Sequence, residues 1–367
     1  MRAFARDTAS RPMTEPEDDR RAAPSSPGDP PGQLSSRGSA HDDLLVRPAV
    51  VADEAQILAL AERTLGWGSE DRWTELFRWK HDLNAFGRSP RWVATIDERV
   101  VGFRVFLRWE FTGPGGRIQR AVRAVDTATD PARQGRGIFK RLTTTAVGDL
   151  TAEGTDFVFN TPNDQSRPGY LKMGWQIVGR PPIMTLPTGL GGAVRQTNAR
   201  TAAELWSLPT VAGSDAREAL SAPRIEDLLN ALDPISRMST HRTAEYLRWR
   251  YGLAELHYRA IALGDDPAEG LVVFRLRRRG RALEGTVCEL LVPAGRDATR
   301  RKRRLLRMVA RNSAADYLLV GHDRGLIRTP ALPVPRLGPI LTWRGLEAQA
   351  EPRLQDFRLT MGDLELF

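Results

Sequence analysis

The chain has 367 residues, of which 41% are hydrophobic and 27% are charged, an ordinary balance for a folded protein. This length suits two domains better than one. No apolar run approaches the roughly 18 residues that a membrane span needs, and the N-terminus lacks the apolar core of a signal peptide. We therefore expect a cytoplasmic enzyme without a membrane partner.

The net charge is +9, and 50 of the 54 basic residues are arginine. Positive potential favours polyanions, which include phosphorylated cofactors as well as nucleic acids, so charge alone does not choose a ligand. Residues 1–43 hold six arginines and eight acids. The remainder therefore carries about +11, and the basic character belongs to the part that we expect to fold.

The predicted elements begin near residue 44. Residues 1–43 are rich in Pro, Ser, Gly and charged residues and are predicted to be disordered, because they cannot bury enough apolar area. Apolar periodicity then predicts strands and helices in alternation. In chain order these are a strand at 45–49, helices at 54–65 and 73–81, strands at 92–96, 100–110 and 120–129, a helix from 138 to about 150, and a strand at 155–160.

A glycine-bearing turn lies between the strand at 120–129 and the next helix. The strand ends at Asp130-Pro131, because proline cannot donate to a continuing ladder. The turn is Ala-Arg-Gln-Gly-Arg-Gly at residues 132–137. The following helix has one apolar face, formed by Ile138, Leu142, Ala146 and Leu150.

This turn has the chemistry of a phosphate site. Gly135 and Gly137 carry no side chains, so an anion can approach the backbone amides closely. The first turn of the helix leaves unpaired N–H groups, and the helix dipole adds partial positive charge. Gln134 and Arg136 add polar and cationic reach. A pyrophosphate fits these surroundings, although an ordinary turn would also explain two glycines.

The second half of the chain repeats features of the first. The sequence Glu-Leu-Phe-Arg-Trp-Lys at 75–80 recurs as Glu-Tyr-Leu-Arg-Trp-Arg at 245–250. A strand with Phe-Arg follows each copy, at 103–104 and 274–275, and residues 155–158 are matched loosely by 315–318. These ordered matches predict two copies of one fold, unless they arise by chance.

The turn and a later segment carry a family resemblance. The run from Asp130 to Phe139 resembles the acetyl-CoA loop of the GNAT acetyltransferase superfamily, and Tyr-Leu-Lys-Met-Gly-Trp at 170–175 resembles its later Tyr-x-x-x-Gly-aromatic segment. The resemblance covers residues 44–180 well and the remainder only as a degraded copy. Tandem members that it resembles are uncharacterised bacterial GNAT proteins and, more distantly, mycothiol synthase and the enhanced-intracellular-survival acetyltransferases.

The resemblance implies an α/β fold with a mixed sheet, in two tandem copies of which the second is degenerate. The corresponding domains are a tail at 1–43, a catalytic domain at 44–186, a linking segment at 187–240 and a degenerate domain at 241–367. In the second copy the position of the turn has one glycine, Gly295, and no Gly-x-Gly. This copy is therefore expected to act as a scaffold or as a wall of the acceptor site.

The resemblance also implies roles for individual residues. Tyr170 would protonate the departing thiolate, since a phenol donates a proton yet stays neutral when idle. The alternative is that Tyr170 only packs against Trp175. The residues expected to bind acetyl-CoA are Thr127, Ala128 and Thr129 through their backbone, Gln134, Gly135, Arg136, Gly137, Ile138 and Phe139 in the turn, and Asn163.

Two positions depart from the family pattern. Phe139 stands where the loop usually has Gly or Ala, so the helix start could sit differently against the phosphates. Pro168 and Gly169 lie between Asn163 and Tyr170, and proline inside a helix removes a hydrogen bond and clashes with the preceding turn. That helix is therefore expected to be broken or to start late, which weakens the role of Asn163 more than that of Tyr170.

The acceptor amine must lose a proton, and Asp126 is the nearest plausible carboxylate in sequence. Asp126 as the base, a chain of waters, and deprotonation of the amine in solution remain open alternatives, as does a purely structural role for Asp126.

Cysteine and histidine patterns give no catalytic or metal site. Cys288 is the only cysteine, and its strand-like surroundings predict a small buried hydrophobe. His81 and His241 lack partners at metal-ligand spacing, so we expect no metal and interpret both as surface or cap residues.

The leading hypothesis is acetyl-CoA-dependent N-acetyl transfer to a small primary amine, by direct attack in a ternary complex. One alternative is a non-catalytic protein that binds nucleic acid or another polyanion through its basic surface, including residues 300–304. We consider nucleic acid the less favoured partner. Transfer of a longer acyl or an aminoacyl group is a third possibility. The sequence does not indicate the oligomeric state.

Overall fold

The computed structural model describes residues 44–198, 201–264, 266–326, 332–334, 338–347 and 351–365. The predicted disorder of residues 1–43 lies outside these ranges. None of the described helices is long and apolar enough to cross a membrane.

The described strands all belong to one of two large sheets. In chain order they are β1 (Leu45–Pro48), β2 (Arg91–Ile96), β3 (Arg99–Thr112), β4 (Ile118–Thr129), β5 (Phe157–Asn160), β6 (Gln176–Gly179), β7 (Ile183–Pro187), β8 (Ser214–Asp215), β9 (Ser239–Thr240), β10 (Arg259–Ala262), β11 (Leu271–Arg279), β12 (Ala282–Leu291), β13 (Tyr317–Gly321), β14 (Leu332–Val334) and β15 (Leu341–Gly345).

The helices pack against the faces of these sheets. They are α1 (Glu54–Leu65), α2 (Asp71–His81), α3 (Ile138–Ala152), α4 (Arg167–Lys172), α5 (Leu190–Asn198), α6 (Ala216–Leu220), α7 (Ile225–Asn230), α8 (Ala244–Arg250), α9 (Ala298–Asn312) and α10 (Met361–Leu364). Each predicted element of the first half is present, with ends that differ by about two residues, because apolar periodicity fixes an element more firmly than its ends.

The first sheet has the order β1-β2-β3-β4-β5-β15-β6, with β9 paired to β3. Its strands are antiparallel except for β4 and β5, which run parallel because α3 crosses over between them. The side chains of α1 and α2 cover one face of this sheet, and those of α3 cover the other. The predicted mixed α/β sheet is confirmed.

The second sheet repeats this plan, with the order β14-β7-β13-β12-β11-β10-β8. Strands β12 and β13 are parallel and are joined through α9, as β4 and β5 are joined through α3. The predicted second copy of the fold is therefore present. The segment after β12 makes a turn with one glycine, Gly295, before α9 begins.

The two sheets exchange a strand. The predicted domains at 44–186 and 241–367 are contiguous ranges and do not include this exchange. Strand β15, from the second half of the chain, lies between β5 and β6 in the first sheet. Strand β7, from the first half, lies between β13 and β14 in the second sheet. The segment 187–240 is more than a link, because β8 joins the second sheet and β9 the first.

The repeated helices α2 and α8 meet at the contact between the two copies. Trp79 donates its indole N–H to the backbone oxygen of Trp249 over 2.7 Å, and Trp249 donates to the backbone oxygen of Trp79 over 2.9 Å. Their rings stack with centroids 5.5 Å apart. This reciprocal pair relates the copies by an approximate twofold arrangement, and it explains the shared Trp of the two repeats.

Candidate active site

The site forms where β4 and β5 separate. They pair only at residues 121–123 of β4, whereas β4 continues in the ladder with β3 as far as Thr129. Strand β5 ends at Asn160. Within the described ranges, no strand therefore pairs with residues 124–129 of β4 on the β5 side. This gap leaves backbone polar groups of β4 free to bind an extended ligand.

A bulge in β4 lies beside this gap. Arg104 and Val105 of β3 are opposite Thr127 and Val125, so Asp126 is the extra residue. A bulge re-aims the side chains on either side of it. Asp126 consequently points to the face of the sheet that carries α2, where it contacts Lys80 and His81.

The turn that follows β4 is held by local side-chain bonds. The Asp130 carboxylate accepts from the Ala132 backbone N–H over 3.0 Å and caps a short 3-10 turn, Pro131–Arg133. Gly135 and Gly137 have φ values of 76° and 75°, which residues other than glycine rarely adopt. Open space surrounds both glycines, so the backbone angle, and not crowding, explains their presence.

The amides of the turn are exposed to a ligand. In the part of the chain that the structure describes, no acceptor takes a hydrogen bond from the backbone N–H of Gly135 or Gly137. Gly137 is the N-cap of α3, a helix of 15 residues, so its positive end faces the same space. These features fit a bound phosphate group.

A cavity of about 310 Å³ adjoins the turn on the side of α1. Three cationic side chains line it, Arg63, Arg99 and Arg133, with Asp97 and Asp130 as its acids. The charge next to the turn is thus positive on balance, which favours an anionic ligand.

Tyr170 lies on the α3 face of the sheet. Pro168 occupies the first turn of α4, where its missing N–H costs little, so this helix starts late as predicted. The phenol ring lies 5.1 Å from Trp175 and 5.5 Å from Phe139, measured between centroids. Its hydroxyl accepts a 2.5 Å hydrogen bond from Arg104, and the residue is 3% exposed. The packing against Trp175 and a polar contact of the hydroxyl therefore coexist.

The two departures from the family pattern have local explanations. Phe139 packs its ring edge against Tyr170 and lies close to Gly169, where any side chain would approach the ring within 3.1 Å. The side chain of Asn163 accepts from the backbone N–H and the hydroxyl of Ser166, over 2.8 and 2.9 Å. Asn163 thus shapes the turn before α4, and its contact with a cofactor stays a prediction.

The interpretation of His81 as a surface or cap residue is wrong. His81 is fully buried, with one ring nitrogen 2.7 Å from the Asp126 carboxylate and the other 3.1 Å from the Ser89 hydroxyl. Lys80 donates to the same Asp126 oxygen over 2.8 Å. The residues next to His81 in the sequence do not indicate this contact, because Asp126 lies 45 residues further along the chain, on β4.

Burial and neighbouring charges decide which groups of this cluster are ionised. Burial lowers the pKa of His81 to about 4, and the bond to Asp126 only partly opposes it, so the imidazole is neutral at pH 7. Burial alone would raise the pKa of Asp126, but the charge of Lys80 and the bond from His81 hold it well below its usual range. Asp126 is therefore an ionised carboxylate paired with Lys80.

The structure does not bring Asp126 and Tyr170 together. Asp126 contacts α2 on one face of the first sheet, while Tyr170 packs with α3 on the other. The open part of β4, residues 124–129, belongs to the sheet that separates these two side chains.

Three other expectations concern residues outside the gap. Cys288 is buried in β12, and burial raises the pKa of its thiol to about 12, which confirms a structural hydrophobe. His241 is half-buried and its ring lies 2.8 Å from the Thr112 hydroxyl. Among the described residues, no group of three or more His, Cys, Asp or Glu side chains could hold a metal ion.

The basic run at residues 300–304 opens α9 as predicted, and much of its charge is used within the chain. Arg300, Arg301 and Lys302 form ion pairs with Asp297, Glu269 and Asp323, respectively. Arg303 donates to the backbone oxygen of Gly325. Because these cations have partners within the chain, a solvated basic helix face explains the run better than a binding surface for a polyanion.

Sequence reasoning did not assign a role to Arg104 or Lys80. Arg104 lies within the apolar run at residues 100–107, and a charge at the centre of such a strand is a signal that could have been followed. Lys80 had no comparable signal, because it ends an amphipathic helix where cations are common.

Together, the separated parallel strands, the open glycine turn and the helix dipole form a site whose polarity favours an extended anionic ligand. Residues 46–178 match the family model described as the acetyltransferase (GNAT) domain. The first half of the chain therefore contains a GNAT acetyltransferase domain, and the protein is in general class an acyltransferase.

Solved structures share the arrangement of both halves. A conserved protein of unknown function from Enterococcus faecalis, a probable N-acyltransferase, is 16% identical, with a TM-score of 0.60 over 83% of this chain and 73% of its own. A GCN5-related N-acetyltransferase from Kribbella flavida is 16% identical, with a TM-score of 0.57 and coverage of 83% and 71%. Eis1 from Mycobacterium abscessus is 17% identical, with a TM-score of 0.51 and coverage of 83% and 74%. These likenesses concern the fold. No curated protein matches the sequence.

Proposed function

We propose that this chain is an acetyl-CoA-dependent N-acetyltransferase that acetylates a small-molecule primary amine by direct transfer in a ternary complex. The observation that carries the proposal is the continuation of β4 beyond β5 into a turn with open amides at the start of α3. An extended, diphosphate-bearing thioester would place its polar groups along this free strand edge and its diphosphate at the turn.

In this proposal the free edge of β4 binds the pantetheine arm through the backbone of Thr127, Ala128 and Thr129. The amides of residues 134–138 bind the pyrophosphate, helped by the dipole of α3. Arg136 supplies a positive charge beside the same phosphates. The side chain of Gln134, which already reaches the Thr129 backbone oxygen over 3.4 Å, keeps the turn close to the strand end.

The chemical step is attack of the amine nitrogen on the thioester carbonyl carbon. A C–N bond forms, the C–S bond breaks, and the sulfur takes a proton from the Tyr170 hydroxyl. An ammonium acceptor loses one proton before attack, in solution or to water, and the attacking nitrogen loses a second proton as the amide forms. Water carries this second proton to the phenolate that Tyr170 has become, which restores the phenol. Asp126 is the plausible carboxylate nearest in sequence, but its ion pair with Lys80 disfavours it as the base.

The cofactor proposal is tested by titrating coenzyme A into the protein in a calorimeter. Gly137→Val places a branched side chain on a backbone with φ of 75°, so we expect it to weaken binding at least about tenfold through the distorted turn. Gly148→Ala is the matched control, because Gly148 is exposed in the middle of α3 with free space around it. This control should bind normally and be slightly more stable.

Release of free thiol from acetyl-CoA with a panel of amines tests catalysis. No binding of coenzyme A by the unmodified protein would refute the proposal. Competition with longer acyl-CoA donors separates acetyl transfer from transfer of a larger group. Retention on nucleic acid that weakens steeply with salt, without thiol release, would instead favour polyanion binding.

A further inference from the structure

Arg104 is a charged side chain buried at the centre of the first sheet. It lies on β3, opposite Thr127 of the bulged strand, and it is 0% exposed. Burying a guanidinium costs several kcal/mol unless hydrogen bonds or an opposite charge compensate. Its partners therefore indicate what the charge stabilises.

The hydrogen-bonding of Arg104 differs from that of the other deeply buried arginines. Arg123 and Arg250 donate to backbone oxygens of the C-terminal segment, and Arg275 pairs with the Glu365 carboxylate. Within the described residues, the one hydrogen-bond acceptor of Arg104 is the hydroxyl of Tyr170, 2.5 Å from its Nη2 atom. Its Nε and Nη1 atoms are buried without an acceptor.

Aromatic rings enclose the rest of the guanidinium. The Cζ atom lies 4.7 Å from the ring centroid of Phe106, 5.4 Å from that of Phe139 and 5.1 Å from that of Tyr170. Aromatic faces attract a cation but cannot neutralise it. No described ion pair includes Arg104, so its field acts on the phenol oxygen without competition from a carboxylate.

We propose that Arg104 is a positioning residue that makes Tyr170 an effective acid for the departing thiolate, an inference that rests on the proposed function. Because Arg104 donates to the phenol oxygen, the phenolic hydrogen must point elsewhere. The positive charge also stabilises the negative charge that develops on this oxygen as its proton moves to the sulfur. Phe139, the departure from the family's small residue, closes the cage that excludes water from the pair.

A double-mutant cycle tests this inference by measuring thiol release from acetyl-CoA with the best amine of the panel. Arg104→Gln should lower kcat roughly 10- to 100-fold, as expected for a lost hydrogen bond to a charged donor, with the KM for acetyl-CoA changed less than about threefold. Tyr170→Phe should lower kcat by about 100-fold or more. In the Tyr170→Phe background, Arg104→Gln should cost little further activity, because the group on which it acts is gone.

Controls separate this role from a loss of folding. Leu150→Ala removes packing from the same core cluster at the far end of α3, so it should lower the melting temperature without lowering kcat. Arg104→Lys retains the charge and should recover part of the activity. Two outcomes would overturn the role of Arg104 and leave that of Tyr170 intact. One is a loss of kcat in the double variant equal to the product of the two single losses. The other is a normal kcat for Arg104→Gln together with a strong effect of Tyr170→Phe. A fully active Tyr170→Phe variant would remove the acid and this inference, whereas absent coenzyme A binding would refute the proposed function itself.

Discussion

The imidazole of His81 is held neutral at pH 7 between the Asp126 carboxylate and the Ser89 hydroxyl. Its burial disfavours the charged form, while Lys80 supplies the positive charge that Asp126 needs. The charges of Lys80 and Asp126 therefore cancel, and the cluster has no net charge only while His81 is neutral. This balance is a property of single residues, and it makes the stability of the protein depend on pH.

We expect acid to destabilise the protein through His81. The pKa of His81 is about 4 in the folded state, against about 6.5 in the unfolded chain, so the unfolded chain binds more protons between these values. Stability from this residue is intact above about pH 6.5 and is lost as the pH falls towards 4. The loss should be about 2 kcal/mol between pH 7 and pH 5.

Urea unfolding of the wild type and of His81→Gln at both pH values measures this contribution. The variant should show a smaller decrease in unfolding free energy between pH 7 and pH 5. Asp126 does not obscure the result, because its lowered pKa matters only below the unfolded value of about 3.9. Equal pH dependence in both proteins would show that His81 is not held neutral by the fold.

At the scale of elements, the contact of α2 with α8 joins the two copies of the fold. Each tryptophan of the pair satisfies a backbone oxygen at the end of the other helix. Those oxygens belong to the last turn of each helix, and that of Trp249 also accepts from the backbone N–H of Gly252 over 3.0 Å, so the indole supplies a second hydrogen bond there. The contact thus caps both helices and connects the sheets that they cover.

Trp79→Phe should lower the unfolding free energy by about 1 kcal/mol, because it removes one buried hydrogen bond while the Trp249 backbone oxygen keeps the Gly252 N–H. Chemical denaturation measures this change. Trp73→Phe is the control, since the indole of Trp73 donates to the exposed Glu70 and water can replace that bond. A loss for Trp79→Phe no larger than that for Trp73→Phe would contradict a capping role.

For the whole molecule, the exchange of β7 and β15 makes the two halves interdependent. Among the described strands, β6 pairs with β15 alone, and β15 comes from the far end of the chain. Arg123, a buried arginine of the first half, also binds the C-terminal segment, through the backbone oxygen of Leu364. Neither half can complete its core alone.

A fragment of residues 44–180 should therefore fail to fold cooperatively. It contains β1 to β6 but lacks β15, so the backbone groups of β5 and β6 lose their shared partner. Circular dichroism during thermal unfolding should show no cooperative transition for this fragment. Co-expression with residues 181–367 should restore one. A sharp transition for the isolated fragment would show that the exchange is dispensable.

The sequence by itself determined much of this protein. Apolar periodicity located the elements of the first half, the repeat predicted a second copy, and the run from Asp130 to Phe139 indicated the family and the turn. These features are local, because helix and strand periods and a glycine's positive φ depend on near neighbours in the chain. Tyr170 and Asp126 were selected by resemblance and proximity in sequence, and their catalytic roles remain predictions.

Only the tertiary structure decided which side chains share an environment. It placed His81 and Lys80 against Asp126, Arg104 against Tyr170, and β15 between β5 and β6. The partners in these contacts are separated by tens to hundreds of residues, and pairing between distant segments is set by how whole sheets pack. Burial then changes the charge state and the energetic weight of each group, which no local pattern in the sequence encodes.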